Sequence, residues 1–459
     1  MLACICFPCK FRVAEAKMDG KILETVVRDS RRDVLVRVAR AFDSKNFPEA
    51  IEAAAKQMEA EWRARPCHGR VRDRDGVAVC REKVLAALGF AVEEDDGTAT
   101  LASFAKRALE RKSPEAYPLT VFGHSCDRCP DGEMTVTAVC RNCLAKPCKQ
   151  ACHFGAIAPG DDKMEIDREK CKRCNLCAKA CPYGAIARAC VPCESACPTG
   201  AIAKDSAGRT CIDFDRCISC GKCIGACPFG AIYVKSQLID VLRKMKEGRD
   251  VIAMPAPAFA GQFSESQGKV QAALRNVGFR QICEVAIGAE KTARVEASDF
   301  HEHLGSGQTF MTTSCCAAYN EFVAKHLPEI QPYVSQAKTP LYYTAEMLRS
   351  EQPNAVLVFF SPCFAKFREV HQNPHVDYVL SFEDVMALLE ARNVDVSTCA
   401  EDEAGRRAAR EAREFSLSGG VSRCVQAVLG EDSANLHPVI VDGLNEENIK
   451  MLRECAKTG

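Results

Sequence analysis

The sequence has no excess of charge of either sign: 61 basic residues balance 61 acidic ones across 459 positions. The two signs are scattered, so there is no electrostatic footprint for nucleic acid or an anionic membrane, and neither is expected as a partner. Long apolar runs are missing too. The longest, such as residues 355–360, are strand-length and far below the ~20 residues that span a bilayer. The first residues, MLACICFPCKFR, have too short an apolar run, and no charged segment before it, to be a secretory signal. A soluble, cytoplasmic chain is therefore expected. In that reducing compartment closely spaced cysteines ligate metal rather than form disulfides.

Cysteine is what the sequence has in abundance: 30 residues, of which 18 fall in the 102 positions 126–227. That segment repeats itself. Copies of Cys-x-x-Gly-Ala-Ile begin at Cys152, Cys181, Cys197 and Cys227, spaced 29, 16 and 30 residues apart, and the alternation implies two modules of two halves each. The second half, CKRCNLCAKACP, places Cys171, Cys174, Cys177 and Cys181 in the run C-x2-C-x2-C-x3-C-P. The fourth, CISCGKCIGACP, does the same with Cys217, Cys220, Cys223 and Cys227. In this bacterial ferredoxin pattern three close thiolates wrap one [4Fe-4S] cubane and the fourth ligates its neighbour.

The first half is a stretched version with Cys140, Cys143, Cys148 and Cys152. Crossed ligation then gives one cluster Cys140, Cys143, Cys148 and Cys181, and the next Cys171, Cys174, Cys177 and Cys152. The third half, CVPCESACP, offers only Cys190, Cys193 and Cys197. The second module therefore has one complete set, Cys217, Cys220 and Cys223 with Cys197, and one short set, Cys190, Cys193 and Cys227. Its fourth ligand could be Cys211, or Cys126 or Cys129 from the preceding CDRC, or be absent, so three to four [4Fe-4S] clusters are expected. Zinc knuckles also use C-x2-C pairs, but four-cysteine runs ending in proline are the cluster pattern. A row of cubanes conducts electrons and does no bond chemistry alone, so something at one end must supply or consume them.

The flanks read differently. Residues 1–120 show apolar positions at three- and four-residue spacing, for example over 31–41 and 47–63, and are expected to be a helical domain. Cys4, Cys6 and Cys9 have a metal-like spacing without a fourth ligand nearby and read as an unordered terminus. The isolated Cys67, Cys80, Cys283, Cys399, Cys424 and Cys455 read as small buried hydrophobes. From about Ser236, apolar runs at 251–254, 355–360 and 439–441 alternate with helical patterns over 269–277, 382–392 and 445–455. That alternation favours a parallel sheet with helices on both faces. The charged run 401–414 reads as a solvated helix. The expected fold is α+β and multidomain: a helical N-terminal region (1–120), tandem ferredoxin-like modules (121–187 and 188–235) and an α/β domain (236–459).

Within that last domain stand Thr313-Ser314-Cys315-Cys316 and Ser361-Pro362-Cys363-Phe364-Ala365-Lys366, with Glu369 after them. These resemble the first two signature segments, TSCCP and PC-x2-K-x2-E, of the [FeFe]-hydrogenase catalytic domain. The modules ahead of it, with the CRNCLAKPC start, look like the monomeric, ferredoxin-linked group B branch. The resemblance implies an iron–sulfur enzyme that reversibly reduces protons to dihydrogen with electrons from ferredoxin or a similar carrier. It implies an H-cluster, a cubane tethered to a diiron centre carrying CO, cyanide and a dithiolate, inserted by diiron maturation proteins. Carried over residue by residue, Cys316 and Cys363 are cubane thiolates and Cys315 is the thiol passing protons beside the distal iron. Lys366 donates to an iron-bound cyanide. Glu296, Asp299 and Ser335 fall at the spacings of the family's proton route. Set against that, a carboxylate pair at i, i+3 is more often the wet face of a helix.

The match departs from the pattern in places. Ala317 stands where the family has proline, Tyr319 where it has tryptophan, and Ser361 where it has methionine. The third signature, E-x-M-x-C-x2-G-C, supplies the last two ligands of the catalytic cluster and is not found among the 459 residues. It normally follows a segment like VDGLNEENIKMLRECAKTG, at which this sequence ends, so a truncated copy of a hydrogenase is expected. The alternative is a non-catalytic relative, either a cluster assembly factor or a redox or dihydrogen sensor.

Overall fold

The computed structural model describes residues 2–6, 21–64, 73–126, 129, 132–206, 208–402 and 404–458. The chain opens with strand β1 (Leu2–Cys6), followed by helices α1 (Lys21–Phe42), α2 (Phe47–Ala64), α3 (Asp73–Ala87) and α4 (Leu101–Glu110). Cys4 and Cys6 thus lie on a strand rather than in an unordered start, while Cys9 and Cys67 fall outside the described residues. Helix α2 forms because Phe47, Ile51, Ala55 and Met58 recur on one face, and all four are buried. Helix α4 starts at Thr100, whose hydroxyl accepts the Ser103 N–H at 3.2 Å and satisfies one orphan donor of the first turn.

The cysteine-rich segment begins with strand β2 (Leu119–Val121) and the short helix α5 (Gly123–Cys126). It runs through β3 (Met134–Val136), α6 (Pro147–Gln150), β4 (Ile157–Pro159), β5 (Met164–Ile166), α7 (Leu176–Ala180) and β6 (Ile186–Arg188). Then come α8 (Pro192–Ala196), β7 (Ile202–Lys204), β8 (Thr210–Ile212), α9 (Lys222–Ala226) and β9 (Ile232–Val234). Antiparallel pairs β3–β6 and β4–β5 close the first module. The second is closed by β7–β8 and by β2–β9, with Val121 opposite Ile232. Because β2 precedes the first module in the chain, the modules are nested. A division at 187/188 would cut β2 from the strand it pairs with.

The repeated Cys-x-x-Gly-Ala-Ile is a turn with a physical role for each residue. Gly155, Gly184, Gly200 and Gly230 have φ between 58° and 61°, a left-handed conformation that costs a residue bearing a Cβ ~1–2 kcal/mol. The turn then sends Ile157, Ile186, Ile202 and Ile232 into the module cores, where all four are buried.

Helix α10 (Leu238–Lys246) leads into β10 (Val251–Pro255), α11 (Gln267–Asn276), β11 (Gln281–Ile282) and α12 (Ile287–Gly305). Next are β12 (Met311–Thr312), α13 (Ala317–His326), α14 (Pro340–Glu351), β13 (Val356–Ser361) and α15 (Ala365–Gln372). The chain continues through β14 (Tyr378–Ser381), α16 (Phe382–Ala391), α17 (Arg410–Arg413), α18 (Gly420–Leu429), β15 (Pro438–Asp442) and α19 (Glu446–Thr458). The parallel sheet expected here is present, in the order β11-β10-β13-β14. Every residue of β10 and β13 is buried, which is why those runs are continuously apolar rather than alternating. A second parallel sheet places β1 between β12 and β15.

One apolar core joins the N-terminal helices to this sheet, running from Val34, Leu35 and Val38 to Val385 and Leu388. Arg392 pairs with Asp43 at 2.9 Å, and Arg111 pairs with the buried Asp240 along the same seam. The helical region is therefore packed onto the C-terminal half. Among its described residues the run 401–414 is α-helical only at α17, against the expected solvated helix. Several of its charges pair outward, Asp402 with Arg275, Arg406 with Glu351 at 2.7 Å and Arg413 with Glu284 at 2.8 Å, while Arg410 and Glu414 pair within the run at 3.7 Å. No helix among the described residues is long and apolar enough to cross a membrane.

Candidate functional site

In each signature turn the alanine N–H points back at the cysteine sulfur. Ala156, Ala185, Ala201 and Ala231 donate to Cys152, Cys181, Cys197 and Cys227 at 3.4, 3.4, 3.3 and 3.3 Å. Backbone donors on sulfur stabilise a thiolate and are among the features that set cluster potentials.

The thiols gather in sets. Burial, then the charges of Cys181 and Cys143, raise the Cys148 thiol; burial, then Cys171 and Cys152, raise Cys177. In the second module burial followed by Cys217 and Cys197 pushes Cys220 up to about 11. Burial followed by Cys227, Cys126 and Cys129 pushes Cys193 up to about 12. Thiols crowded in this way resist ionising together, and a bound cation supplies the missing charge. Among the described residues no three of His, Cys, Asp and Glu converge tightly enough for a single metal ion, whereas a cubane holds its thiolates around a wider four-iron core.

The short set has other thiols beside it. Cys190, expected as a ligand, is exposed, as are Cys174 of the first module and Cys211, whose thiol donates to the Ala203 carbonyl at 3.5 Å. Cys126 and Cys129 crowd the buried Cys193. The physical reason is the pairing of β2 with β9: Phe122 N–H bonds the Ala231 carbonyl at 2.7 Å, carrying the Cys126 turn to the Cys227 loop.

The second module abuts the C-terminal half at its own cysteines. Cys220 packs in one apolar cluster with Ile218, Ala317, Cys316 and Cys363. Gly221, at φ 76°, lies so close to Phe364 that a Cβ there would sit 2.4 Å from the ring. Lys325 on α13 donates to the Cys217 carbonyl at 2.7 Å, and Lys222 donates to the Leu444 carbonyl at 2.8 Å.

Cys316 immediately precedes α13, and Cys363 lies in the loop between β13 and α15, at the carboxyl end of the parallel sheet where open α/β folds place their sites. Both line a cavity of ≈ 200 Å³ together with Cys315, Lys366, Leu341 and Phe415. Burial, then the neighbouring Cys363 and Cys315, pushes Cys316 up to about 12. Lys366 is anchored by Glu369 and reaches the Cys315 carbonyl at 3.4 Å, and Glu369 in turn accepts from Thr339. Burial opposes the charge on Lys366, but Glu369 and then Cys315 and Cys316 hold the ammonium above its ordinary value.

Glu296 is on the inside of α12, fully buried, and not on a wet helix face. Its carboxyl accepts the Ser314 N–H at 3.2 Å, while its other oxygen has no hydrogen-bond partner among the described residues. Burial, then the Cys315 thiol and Asp299, raise it well above the carboxylate range. Asp299 accepts from the Ser335 hydroxyl at 2.7 Å, and Ser335 lines a second cavity of ≈ 470 Å³ with Ser314, Thr339 and Glu369. Of the seven residues named from the two signature segments and the proton route, Cys315, Cys316, Cys363 and Lys366 line this pocket, while Glu296 bonds Ser314 beside it and Asp299 and Ser335 pair with each other. Thr339 was not anticipated: Thr339-Pro340 is legible as a helix start, but its bond to Glu369 is a long-range contact.

Residues 249–457 match the family described as iron only hydrogenase large subunit, C-terminal domain, and residues 164–187 and 210–233 match the 4Fe-4S binding domain. The chain is an iron-only hydrogenase-like protein. It is 30% identical over 176 residues to the NADP-reducing hydrogenase subunit HndD of Solidesulfovibrio fructosivorans, covering 32% of this chain and 30% of that protein. The periplasmic [Fe] hydrogenase large subunit of Nitratidesulfovibrio vulgaris is 31% identical over 44% of this chain and 50% of its own length. Iron hydrogenase 1 of Clostridium pasteurianum is 29% identical over 44% of this chain and 38% of its own. The chain thus spans half or less of the length of these hydrogenases.

The pocket fits part of the group that this family implies. A cubane takes four thiolates, and among the described residues the pocket offers two, Cys316 and Cys363, beside a cavity faced by the Lys366 ammonium and the Cys315 thiol. Those two cysteines would hold the cubane on this side.

Proposed function

We propose that the protein acts in dihydrogen metabolism as an [FeFe]-hydrogenase, in which two protons and two electrons interconvert with dihydrogen. The observation that carries this reading is that Cys220 of the second module packs against the same apolar cluster as Cys316 and Cys363, which would bring an electron relay up to the pocket. When bound, a diiron group carrying CO, cyanide and a dithiolate supplies the hydrogen chemistry. The chain's own residues do the rest. Cys316 and Cys363 hold the iron–sulfur side, Lys366 presents a donor fixed by Glu369, and the apolar walls at Leu341 and Phe415 exclude water. Cys315, Glu296, Asp299 and Ser335 form a proton route from the ≈ 470 Å³ cavity to the pocket, in which burial, then the Cys315 thiol and Asp299, hold the Glu296 carboxyl well above the ordinary carboxylate range. Electrons come from ferredoxin or a similar carrier in the cytoplasm, and diiron maturation proteins load the site.

A second reading is a non-catalytic hydrogenase-like iron–sulfur protein, serving cluster assembly or redox or dihydrogen sensing. It is favoured by the two-thiol donor set among the described residues. Dihydrogen evolution from reduced ferredoxin, assayed anaerobically on chain co-produced with the maturation proteins, separates the two. Turnover abolished by Cys363→Ala supports the hydrogenase, and the absence of turnover with the relay clusters reduced supports the second reading.

A further inference from the structure

The two nested modules follow the same path through space, and the comparison assigns a fourth cluster. In the first module a strand (β3) leads to Cys140-x2-Cys143, then Pro147-Cys148-x2-Ala151-Cys152, a hairpin (β4–β5), a second cysteine run and a closing strand (β6). In the second a strand (β2) leads to Cys126-x2-Cys129, then Pro192-Cys193-x2-Ala196-Cys197, a hairpin (β7–β8), a second cysteine run and a closing strand (β9). Cys193 therefore corresponds to Cys148, and Cys126 and Cys129 to Cys140 and Cys143. Counting back from the shared Pro-Cys-x2-Ala-Cys segment, Cys190 corresponds to Ala145 and has no ligand counterpart.

We infer that Cys126, Cys129, Cys193 and Cys227 bind a [4Fe-4S] cluster, and that the whole first module is an insertion between this cluster's second and third ligands. Three observations agree. The buried Cys193 lies among Leu119, Val121, Ile202 and Ile232, with Cys126, Cys129 and Cys227 packed against the same cluster of side chains. The loop between the first two ligands is held from the hairpin: Lys204 donates to the Cys129 carbonyl at 2.9 Å, and the Cys126 thiol reaches the Thr210 hydroxyl at 2.9 Å. Ala231 N–H on the Cys227 sulfur repeats the bond that Ala185 makes to Cys181, the corresponding fourth ligand of the first module. On this assignment the first module is joined to the chain on both sides at the Cys126 cluster.

This inference rests on the iron–sulfur character of the modules and not on hydrogenase activity. Anaerobic alkylation of the full, cluster-loaded chain, followed by peptide mass spectrometry, tests it without a variant. Cys190 and Cys211 should be labelled at once, and Cys126, Cys129, Cys193 and Cys227 should be protected to the same degree as Cys171, Cys174 and Cys177 until the iron is removed. Labelling of Cys126 and Cys129 with Cys190 protected would overturn the assignment, while labelling of Cys171, Cys174 and Cys177 as well would overturn the cluster reading of the modules altogether. In parallel, Cys126→Ala with Cys129→Ala should lower the iron content by about four per chain, and Cys190→Ala should leave it unchanged. The reverse pattern would sink the proposal.

Discussion

In the two modules the four signature cysteines share one backbone donor pattern; the pocket cysteines are surrounded by titratable side chains. Each signature sulfur of the modules receives an alanine N–H at 3.3 to 3.4 Å, with the donor fixed by a left-handed glycine. Around Cys315, Cys316 and Cys363 stand instead Lys366, Glu369, Thr339 and the buried Glu296, groups that can carry or pass protons. The difference follows from the work. Electron transfer needs a fixed polarity around a cluster and no change in protonation, whereas chemistry on protons needs titratable groups held within hydrogen-bond reach.

The comparison can be broken most severely at the pocket thiolates. Cys363→Ala should abolish dihydrogen turnover and remove the pocket cluster while the module iron stays, as read by iron count and by the low-temperature magnetic spectrum of the reduced protein. Glu296→Gln keeps the shape but cannot ionise; it should slow turnover by ~10²-fold or more with the same iron content, since a positioned acid–base group contributes ~10²–10⁴-fold.

The same residue makes a pH prediction. Its carboxyl is raised in the fold above the unfolded value of about 4.3, so the folded state binds the extra proton between the two values. The stability contributed is full below the unfolded value and is lost as pH rises toward and through the raised one. Glu296→Gln should flatten that slope in denaturant titrations from acid to neutral pH; an unchanged slope would place the carboxyl in water.

Smaller effects sharpen the other side. Gly184→Ala forces a Cβ into φ 58° and should cost ~1–2 kcal/mol while shifting a midpoint potential of the first module, because Ala185 N–H no longer aims at Cys181. Pocket turnover with an artificial donor that bypasses the modules should be untouched. Thr339→Val removes one hydrogen bond to Glu369, of the order of 0.5–1.5 kcal/mol, and should slow turnover by roughly 3–10-fold. A larger loss would show that Thr339 does more than steady Glu369 and Lys366.

What could be read from the sequence was what local spacing determines. The repeated Cys-x-x-Gly-Ala-Ile and the continuously apolar runs at 251–254 and 355–360 are each encoded within a few residues, and the structure has a glycine turn at every copy of the repeat and buried strands at the two runs. The choice among Cys126, Cys129 and Cys211 for the short set was left open by the spacing, because what brings the Cys126 turn to the Cys227 loop is β2 pairing with a strand more than a hundred residues away. Glu296 and Asp299 pose a similar problem: an i, i+3 pair of acids looks like a solvated helix face until the covering elements are known, and here Ser314 and Ser335 arrive from the far side. The run 401–414 failed in the opposite direction, since its charges look like a solvated helix but Asp402, Arg406 and Arg413 are taken by Arg275, Glu351 and Glu284.

The central claim is that the Cys315–Cys316–Cys363 pocket holds the hydrogen chemistry at the end of the relay. The infrared spectrum of the full chain, matured anaerobically and purified with its clusters, tests it most directly. Bands of iron-bound CO and cyanide that vanish in Cys363→Ala and persist in Cys190→Ala are the predicted result. A spectrum empty of those bands, from a chain whose module cysteines are fully loaded with iron, would contradict it.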